Sequence, residues 1–265
     1  MNMKKILALL GLSLAIGLGG CSEKKATEQN TQNAEGASSD KVYRVAMNAA
    51  FAPFQWVRTD GKIIGFEIDL VDAMAKEGNF KVEYVNTPWD TLFATLPSGD
   101  NDILSSAITI TEDRKQAMDF SEPYFEIKQV ILVPKGKNVQ SIEDIKNLNK
   151  VAVTTGTSAD AVAQKTLGKT SNKIARFESL PLVLKEVENG GADVAISDSA
   201  VVSNYIKNNS DKGFTIVQIQ DSAPEFYGMA VRKGDTETLK MVNEALAKVK
   251  ASGEYDKIYN QYFAQ

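Results

Sequence analysis

The sequence contains no histidine and a single cysteine among its 265 residues. Histidine is the commonest general base and the commonest metal ligand in proteins, so its absence argues against many hydrolases and metalloenzymes. One cysteine excludes an internal disulfide framework and any Cys-x-x-Cys zinc or redox site. We therefore expect neither a bound metal nor a cofactor.

Positive charge is also in short supply. Lysine and arginine total 30 against 34 aspartate and glutamate residues, and the formal net charge is −4. Proteins that bind nucleic acids usually carry a basic surface, so we expect no nucleic-acid partner. The apolar fraction of 43% and the charged fraction of 24% are typical of a soluble globular protein with a core. The length allows one large domain or two of ordinary size.

The N-terminus has an apolar run that is too short to span a bilayer. Lys4 and Lys5 precede this run, which extends from Ile6 to Leu18. A membrane-spanning helix needs roughly 20 apolar residues. A basic start followed by a short apolar stretch is typical of a secretory signal peptide, and we assign one to residues 1–20.

The apolar run ends in Leu18-Gly19-Gly20-Cys21, which resembles a bacterial lipobox, where small residues precede a cysteine that is acylated before cleavage. The resemblance implies a lipoprotein held on a membrane by palmitate-type chains on Cys21. Each buried CH₂ contributes about 0.8 kcal/mol, so two or three chains would form a stable anchor. The alternative is an ordinary signal peptide followed by an incidental cysteine.

Residues 22–40 contain no aromatic residue and no valine, isoleucine or leucine. Such a segment cannot bury enough apolar surface to offset the entropy lost on ordering. We therefore expect residues 21–40 to comprise the acylated cysteine and a disordered tether that holds the rest of the chain away from the membrane. The same composition is compatible with a frayed terminus.

From Lys41 onward, strand-like and helix-like patterns alternate, which predicts α/β architecture with a mostly parallel sheet. Gly78 is placed to end the first helix. The predicted strands cover residues 42–46, 81–85, 102–104, 150–153, 193–196 and 215–219. The predicted helices cover residues 66–76, 90–96, 112–118, 159–167, 180–188 and 199–207, followed by two amphipathic helical segments at 239–249 and 255–262.

Two strand-like segments are candidates for crossings between two lobes, Gln129–Val133 and residues 227–231. If the chain crosses there, lobe one comprises residues 41–130 plus 227–265, and lobe two comprises residues 131–226. Two such lobes joined by two strands would form a hinge with a cleft between them. Ligands of α/β sheets bind at the carboxyl ends of the strands, so we expect the binding site in the cleft.

From Tyr43 to the C-terminus the chain resembles the extracytoplasmic solute-binding proteins of family 3, of the glutamine and lysine/arginine/ornithine type. No single block carries the resemblance, but together the blocks follow the family order over about 220 residues. The matching blocks are Phe51-Ala-Pro-Phe54, Gly65-Phe-Glu-Ile-Asp-Leu70, Pro88-Trp-Asp90, Ser106-Ala-Ile-Thr-Ile-Thr-Glu-Asp-Arg114, Asp119-Phe-Ser-Glu-Pro-Tyr124, Val153-Thr-Thr-Gly-Thr-Ser158, Gly191-Ala-Asp-Val-Ala-Ile-Ser-Asp198 and Tyr227-Gly-Met-Ala-Val231.

The resemblance implies a type II periplasmic-binding-protein fold with two lobes and a two-strand hinge. It also implies that the chain captures a free L-amino acid for an ATP-driven (ABC) importer and delivers it to a membrane permease with its ATPase. We expect a monomer in the periplasm or at the cell surface, anchored to the membrane through Cys21, and no enzymatic activity.

Arg114 is the candidate partner for the ligand carboxylate, because its planar guanidinium can donate two parallel hydrogen bonds. It lies three residues after Thr111, in the first turn of a predicted helix, where a cation is unfavourable against the helix dipole. That local cost suggests a specific anionic partner. The alternative is a surface arginine paired with Glu112 or Asp113.

The resemblance assigns further ligand contacts around Arg114. Thr109 matches a residue that binds through its hydroxyl and backbone N–H, Ala107 is expected to offer its carbonyl to the ligand ammonium, and Ser106 lies beside it. In lobe two, Thr157 and Ser158 open the helix predicted from residue 159, where free N–H groups can bind an anion. A plain strand-to-helix turn with a serine cap is the alternative there.

Asp198 is the candidate partner for the ligand ammonium. It follows the buried-looking strand at 192–196, at the carboxyl end where such folds place ligand groups, and it resembles the ammonium-binding aspartate of the family. The alternative is an N-cap for the helix that begins at Ser199. Phe51 and Trp89 resemble the aromatic pair that encloses the ligand side chain, although aromatic residues at loop ends are more often part of a core.

Specificity for the ligand side chain is expected to depend on Asn48 and Thr154. Family members that bind basic ligands often carry an acid at the position of Asn48, and the glutamine type carries a lysine at that of Thr154. Because both are neutral here and a buried unpaired charge is costly, we expect a neutral polar ligand such as glutamine or asparagine. Glu225, near the second crossing, would favour a cation if it faced the cleft.

Two other functions are compatible with the same fold. One is a periplasmic dehydratase acting on arogenate or prephenate, for which Glu225 and Glu112 are the candidate proton donors. The other is a surface lipoprotein that senses a ligand without transporting it. No motif in the sequence supports either alternative as well as the family blocks support amino-acid binding.

Overall fold

The computed structural model describes residues 41–220 and 222–264. The predicted signal peptide, Cys21 and the tether lie outside the described residues. Within the described ranges, no helix combines the length and the apolar content needed to cross a bilayer.

Strands and helices alternate over much of the described chain, as the sequence pattern predicts, but runs of consecutive strands interrupt the alternation within residues 42–64, 118–133 and 215–232. The strands are β1 (Val42–Met47), β2 (Ala50–Phe51), β3 (Gln55–Val57), β4 (Ile63–Ile64), β5 (Lys81–Asn86), β6 (Ile103–Leu104), β7 (Met118–Phe120), β8 (Phe125–Ile127), β9 (Gln129–Val133), β10 (Val151–Thr154), β11 (Ile174–Phe177), β12 (Val194–Asp198), β13 (Thr215–Gln218), β14 (Glu225–Tyr227) and β15 (Ala230–Arg232). The α-helices are α1 (Phe66–Gly78), α2 (Trp89–Leu92), α3 (Thr95–Ser98), α4 (Glu112–Ala117), α5 (Ser158–Leu167), α6 (Leu180–Glu188), α7 (Ser199–Asn208), α8 (Thr236–Ala251) and α9 (Glu254–Phe263).

Each lobe is built on one five-stranded sheet. The sheet of lobe one has the order β5-β1-β6-β15-β7, and that of lobe two has the order β11-β10-β12-β9-β13. In both sheets three neighbouring strands run parallel, and strands from other parts of the chain add antiparallel at one side. The carboxyl ends of the parallel strands carry the loops that form the cleft.

A short antiparallel ribbon connects the lobes. Strand β8 pairs with β14, so that Phe125 lies opposite Tyr227 and Ile127 opposite Glu225. The predicted crossing at Gln129–Val133 is therefore wrong by a few residues, because that segment is β9 and is fully inside the sheet of lobe two. The second crossing is likewise β14, which ends where the predicted segment begins.

Two glycine positions shape the start and end of α1. Gly65 precedes the helix with φ of 141°, and a Cβ there would lie 2.2 Å from the carbonyl oxygen of Phe54, so only glycine fits. Gly78 is the last residue of the helix, which stops there as predicted. The left-handed residue that caps the helix is Asn79, with φ of 53°, and not the glycine.

The core of lobe one is rich in aromatic side chains. Phe54 and Phe66 are fully buried, with ring centroids 5.9 Å apart and planes nearly perpendicular, and Phe125 and Tyr227 of the ribbon pack against Phe54. Aromatic pairs in this geometry contribute beyond the area that they bury. The connecting ribbon is thus packed into the same core that supports the cleft.

Candidate functional site

A cavity lies between the lobes and is lined by residues of both. Every predicted ligand residue lines it, so the structure brings the predicted set together, while its role in binding stays a prediction. The lining side chains are those of Asn48, Phe51, Gln55, Trp89, Ser106, Ala107, Thr109, Arg114, Thr154, Thr157, Ser158, Ser179, Leu180 and Asp198.

Arg114 points into this cavity from the first turn of α4. Thr111 caps that helix, because its hydroxyl oxygen accepts a hydrogen bond from the Arg114 N–H at 3.2 Å. The guanidinium donates to the carbonyl of Thr109 at 2.9 Å and, across the cleft, to that of Gly156 at 3.2 Å. Among the described residues, no carboxylate lies within ion-pair distance of Arg114, and Glu112 pairs with Lys115 instead.

The charge of Arg114 is therefore not neutralised locally. Burial lowers the pKa of the guanidinium, and the negative charges of Asp198 and Glu225 oppose that shift. An arginine stays protonated despite such a shift, since its usual pKa lies above 12. Two of its five N–H donors are used by carbonyls, which leaves donors for an anion in the cavity.

Asp198 faces the cavity from lobe two, at the carboxyl end of β12. It occupies the N-cap position of α7, but its side chain makes no capping hydrogen bond. Its Oδ1 accepts from Nε2 of Gln129 at 2.5 Å, and its Oδ2 accepts from the hydroxyl of Tyr227. The carboxylate is thus directed toward the cleft and the connecting ribbon rather than toward its own helix.

The surroundings of Asp198 make its charge costly. Burial raises the pKa of Asp198 to about 6, although hydrogen bonds from Tyr227 and Gln129 and the charge of Arg114 lower it. Glu225 adds to the upward shift. A cation arriving beside this carboxylate would relieve that cost and favour the ionised form.

The segment after β6 lies between the two charged groups. Ala107 has φ of 48°, the left-handed conformation that is unfavourable for residues with a Cβ. Its N–H donates to both carboxyl oxygens of the buried Glu67, at 3.0 Å each. Beside it, the hydroxyl oxygen of Ser106 accepts the N–H of Asn48 at 3.0 Å and thereby joins two of the loops that line the cavity.

In lobe two the predicted start of the fifth helix is off by one residue. The helix α5 begins at Ser158, and Thr157 is its cap, because the Thr157 hydroxyl oxygen accepts from the Asp160 N–H at 3.3 Å. Adjacent threonine and serine can both cap a helix, so the sequence does not separate them. Asp160 in turn accepts the N–H of Gly156 at 3.1 Å and is paired with Arg176 at 3.0 Å, which fixes the loop before the helix.

Phe51 and Trp89 both line the cavity and are half-buried, unlike the fully buried Phe54 beside them. The ring of Phe51 lies 6.2 Å from that of Phe54. Trp89 donates its ring N–H across the cleft to the carbonyl of Thr155 at 3.0 Å, and its ring lies 5.5 Å from the Arg114 guanidinium carbon.

Sequence reasoning missed Gln55, Ser179 and Leu180 as cavity residues. Gln55 follows the Phe51-Ala-Pro-Phe54 block directly, and Ser179 precedes α6 in N-cap geometry without making a side-chain cap. A polar residue that follows a matched block, and a serine before a helix, are the signals that could have indicated them.

Glu225 lies close enough to the cavity for its charge to act on both Arg114 and Asp198. Glu225 is absent from the described residues that line the cavity, and its carboxylate accepts a hydrogen bond from Gln129 at 3.0 Å. Glu112 is an exposed residue, with 86% of its side chain accessible. Among the residues described, no group of three potential ligands is arranged to hold a metal ion.

Comparisons with known proteins identify the family. The family model described as bacterial extracellular solute-binding proteins, family 3, matches residues 43–265. The chain is 54% identical over 265 residues to a probable histidine-binding protein of Neisseria gonorrhoeae, covering all of this chain and 97% of the relative. It is 30% identical to the ABC transporter glutamine-binding protein GlnH of Bacillus subtilis, covering 99% of this chain and 98% of that protein.

A solved structure has the same fold. The arginine-, lysine-, histidine-binding protein ArtJ of Geobacillus stearothermophilus superimposes with a TM-score of 0.81 at 40% identity. The match covers 85% of this chain and 96% of the ArtJ chain. At this identity and coverage, the chain resembles ArtJ in sequence as well as in fold over most of its length.

Proposed function

The chain belongs to the bacterial extracellular solute-binding proteins, family 3, and on that premise we propose that it is the extracytoplasmic amino-acid-binding lipoprotein of an ABC importer. It captures a free L-amino acid in the cavity and delivers it to a permease with its ATPase. The observation that carries this proposal is the charge of the cavity. Among the described lining residues, Arg114 and Asp198 are the charged ones, and they are of opposite sign.

Opposite charges suit the two ends of a zwitterion. The guanidinium of Arg114 donates to the ligand carboxylate, assisted by Thr109 and by the start of α5 at Thr157 and Ser158, where N–H groups favour an anion. The ligand ammonium donates to Asp198. Burial destabilises the negative charge of this carboxylate and raises its pKa, so a bound cation stabilises the ionised form. Ala107 offers its carbonyl, and Ser106 supports the loop that carries it.

The uncharged part of the cavity supports a neutral polar side chain on the ligand. Asn48, Gln55, Thr154 and Ser179 provide amide and hydroxyl groups, and Phe51 and Trp89 provide apolar walls. A charged ligand side chain would be buried there without a partner, which is costly. A glutamine or asparagine amide, or a neutral imidazole, fits this lining. Two relatives are named for histidine and glutamine, and ArtJ is named for arginine and lysine as well as histidine.

Binding is proposed to close the cleft by a hinge motion. The lobes are those expected from the sequence, residues 41–130 plus 227–265 and residues 131–226, except that Gln129 and Val130 belong with the rest of β9 to lobe two. The ribbon of β8 and β14 flexes between the lobes. The hydrogen bonds from Trp89 and Arg114 to the loop at Thr155 and Gly156 belong to the closed state. The ligand shifts the equilibrium because it contacts both lobes only when they are closed.

The anchor is part of the same proposal. Acyl chains on Cys21 would hold the protein at the periplasmic face of a membrane or at the cell surface, close to the permease. Mass spectrometry of the mature N-terminus tests this, with diacylated or triacylated Cys21 as the expected result. A mature chain that begins at another residue, or an unmodified thiol, would contradict the anchor without affecting the proposed ligand site.

A dehydratase reaction in the cavity has little support from the geometry. The two candidate proton donors, Glu225 and Glu112, lie outside the described lining, so neither is placed to protonate a substrate there. A sensory role would use the same ligand site. Growth on a limiting amino acid after gene deletion separates transport, which predicts a growth defect, from sensing alone.

The test is calorimetry of the full-length chain, purified in detergent, with the twenty common amino acids. We expect a neutral polar amino acid to bind most tightly, with a dissociation constant of about 1 μM, or roughly −8 kcal/mol. Arg114→Ala and Asp198→Ala should each abolish measurable binding. Arg58→Ala and Asp60→Ala, which change an exposed ion pair, serve as matched controls. Unchanged affinity in the first two variants, or tightest binding of arginine or lysine, would contradict the proposal.

A further inference from the structure

Two buried tyrosines meet at the ribbon that connects the lobes. Tyr124 immediately precedes β8, and Tyr227 is the last residue of β14. The N–H of Tyr124 donates to the carbonyl of Tyr227 at 3.0 Å, and the two ring centroids are 6.3 Å apart. Tyr124 is 2% exposed and Tyr227 is 0% exposed, so each phenol hydroxyl needs a partner inside the protein.

The hydroxyl of Tyr227 donates to Oδ2 of Asp198, the acceptor proposed for the ligand ammonium. Gln129 holds the other oxygen of that carboxylate at 2.5 Å. Since Asp198 does not cap its own helix, these two donors fix the direction of its side chain. Tyr227 therefore connects the ammonium partner in lobe two to the hinge.

The hydroxyl of Tyr124 donates to the buried carboxyl group of Glu67. That carboxyl group also accepts the N–H of Ala107, at 3.0 Å from each oxygen. Ala107 is the residue in the left-handed conformation, which persists only where the surroundings hold it. Tyr124 thus connects the second ammonium acceptor, the carbonyl of Ala107, to the same point of the hinge.

We propose that Tyr124 and Tyr227 are positioning residues, which hold the two acceptors of the ligand ammonium from adjacent places on the hinge. The proposal rests on the amino-acid-binding function proposed above and assigns its amine specificity to this pair. Acceptors that are already oriented lose little freedom on binding, so they bind the ammonium more tightly than mobile ones. Neither tyrosine lines the cavity among the described residues, so both act through their carboxyl partners.

The role of Tyr227 predicts a change in the pH dependence of binding. The groups that act on Asp198 are Tyr227 and Gln129, which donate to it, the cation Arg114, and the like-charged Glu225. Removing the Tyr227 hydroxyl takes away a donor that favours the ionised carboxylate, so Asp198 becomes harder to ionise. The pH at which affinity is half lost should rise by about one unit.

The experiment compares Tyr124→Phe and Tyr227→Phe with the wild type, using the full-length chain in detergent. The matched control is Tyr205→Phe, which also removes a tyrosine–carboxylate hydrogen bond, to Glu188 between α6 and α7. The probes are L-glutamine and L-histidine, each with its deamino analogue, glutaramate or imidazolepropionate. Calorimetry at pH 7.5 gives the ratio of the dissociation constants of analogue and amino acid.

We expect each phenylalanine variant to bind the amino acid about tenfold more weakly and the deamino analogue almost unchanged, so that the ratio falls about tenfold. Tyr205→Phe should leave the ratio as in the wild type. Equal weakening of both probes, an unchanged ratio, or the same effect in the control would overturn the inference. A wild type that binds none of the twenty amino acids would overturn the proposed function as well, which distinguishes the two failures.

A second variant covers the case in which a phenylalanine variant does not fold. Site-specific 3,5-difluorotyrosine at position 227 keeps the ring and the hydroxyl but makes the hydroxyl a stronger donor. The ionised form of Asp198 is then favoured, and the pH of half-lost affinity should fall below that of the wild type. A shift in the upward direction, or no shift, would overturn the proposed role of Tyr227.

Discussion

Replacing Trp89 with phenylalanine removes a hydrogen bond that joins the two lobes across the cleft. The ring N–H of Trp89 donates to the carbonyl of Thr155 at 3.0 Å across the cleft. Phenylalanine keeps an aromatic wall at the cavity and its edge contact with Phe93, whose ring centroid is 4.9 Å away. The substitution therefore tests the contact between the lobes more than the shape of the site.

The expected loss of binding free energy follows from the surroundings of this hydrogen bond. Thr155 is exposed, so its carbonyl gains a water molecule when the indole is absent, and the loss stays near the net value of about 1 kcal/mol. A weaker interaction of the Arg114 charge with phenylalanine than with tryptophan adds about 0.5 kcal/mol. Together these predict an affinity about tenfold lower, expressed mainly as faster dissociation.

Calorimetry gives the affinity, and a chase of bound radiolabelled amino acid with unlabelled ligand gives the dissociation rate. The matched control is Trp56→Phe, because Trp56 lies on β3 against Tyr262 and does not line the cavity within the described residues. Trp56→Phe should leave both quantities unchanged. Unaltered dissociation in Trp89→Phe, or equal effects in the two variants, would refute the reasoning.

Three further predictions concern the charged groups. Burial raises the pKa of Asp198 to about 6, and only its ionised form pairs with an ammonium. The affinity for the amino acid should therefore fall about tenfold per pH unit below pH 6. Calorimetry from pH 4.5 to 8 checks this, and an affinity that does not change with pH would contradict it. Arg114→Lys keeps the charge but loses the two-pronged geometry, so calorimetry should show affinity at least about tenfold lower; near wild-type affinity would contradict a bidentate carboxylate contact. Asp160→Asn should lower the free energy of unfolding in urea by about 2 kcal/mol at pH 7. Burial acts to raise the pKa of Asp160, but the hydrogen bonds from Arg176, Gly156 and Gln164 and the charge of Arg176 together outweigh it, and the net shift is downward. This difference should therefore shrink as the pH falls below about 4, and a difference as large at pH 3 as at pH 7 would contradict the ion pair.

The arrangement of strands and helices could be predicted where the periodic patterns were long. Helix α6 lies at the predicted residues, and α5 and α7 differ from the predictions by one residue at one end. The hinge could not be located as accurately from the sequence. Strands β8 and β9 are separated by one residue, Lys128. Strand β8 has the exposed Glu126 between two buried apolar residues, and β9 is buried throughout. Three residues are too few for a periodic pattern to show that β8 pairs in the ribbon and β9 in a sheet.

The residues of the cavity likewise differ in whether a signal in the neighbouring sequence identifies them. Arg114 could be proposed because a costly charge in a first helical turn is visible locally, and the resemblance to the family strengthened that choice. Asp198 could be separated from an ordinary helix N-cap only by that resemblance. Glu67 could not be proposed, because its function depends on Ala107, which is 40 positions away in the sequence. Leu180 enters the cavity from the start of a helix whose own pattern shows only an ordinary core face.

A crystal structure of the protein with its bound amino acid tests the central claim most directly. We predict the ligand carboxylate within hydrogen-bonding distance of the Arg114 guanidinium, and the ligand ammonium bonded to Asp198 and to the carbonyl of Ala107. A ligand bound outside this cavity, or one whose ammonium is held by neither acceptor, would contradict the account.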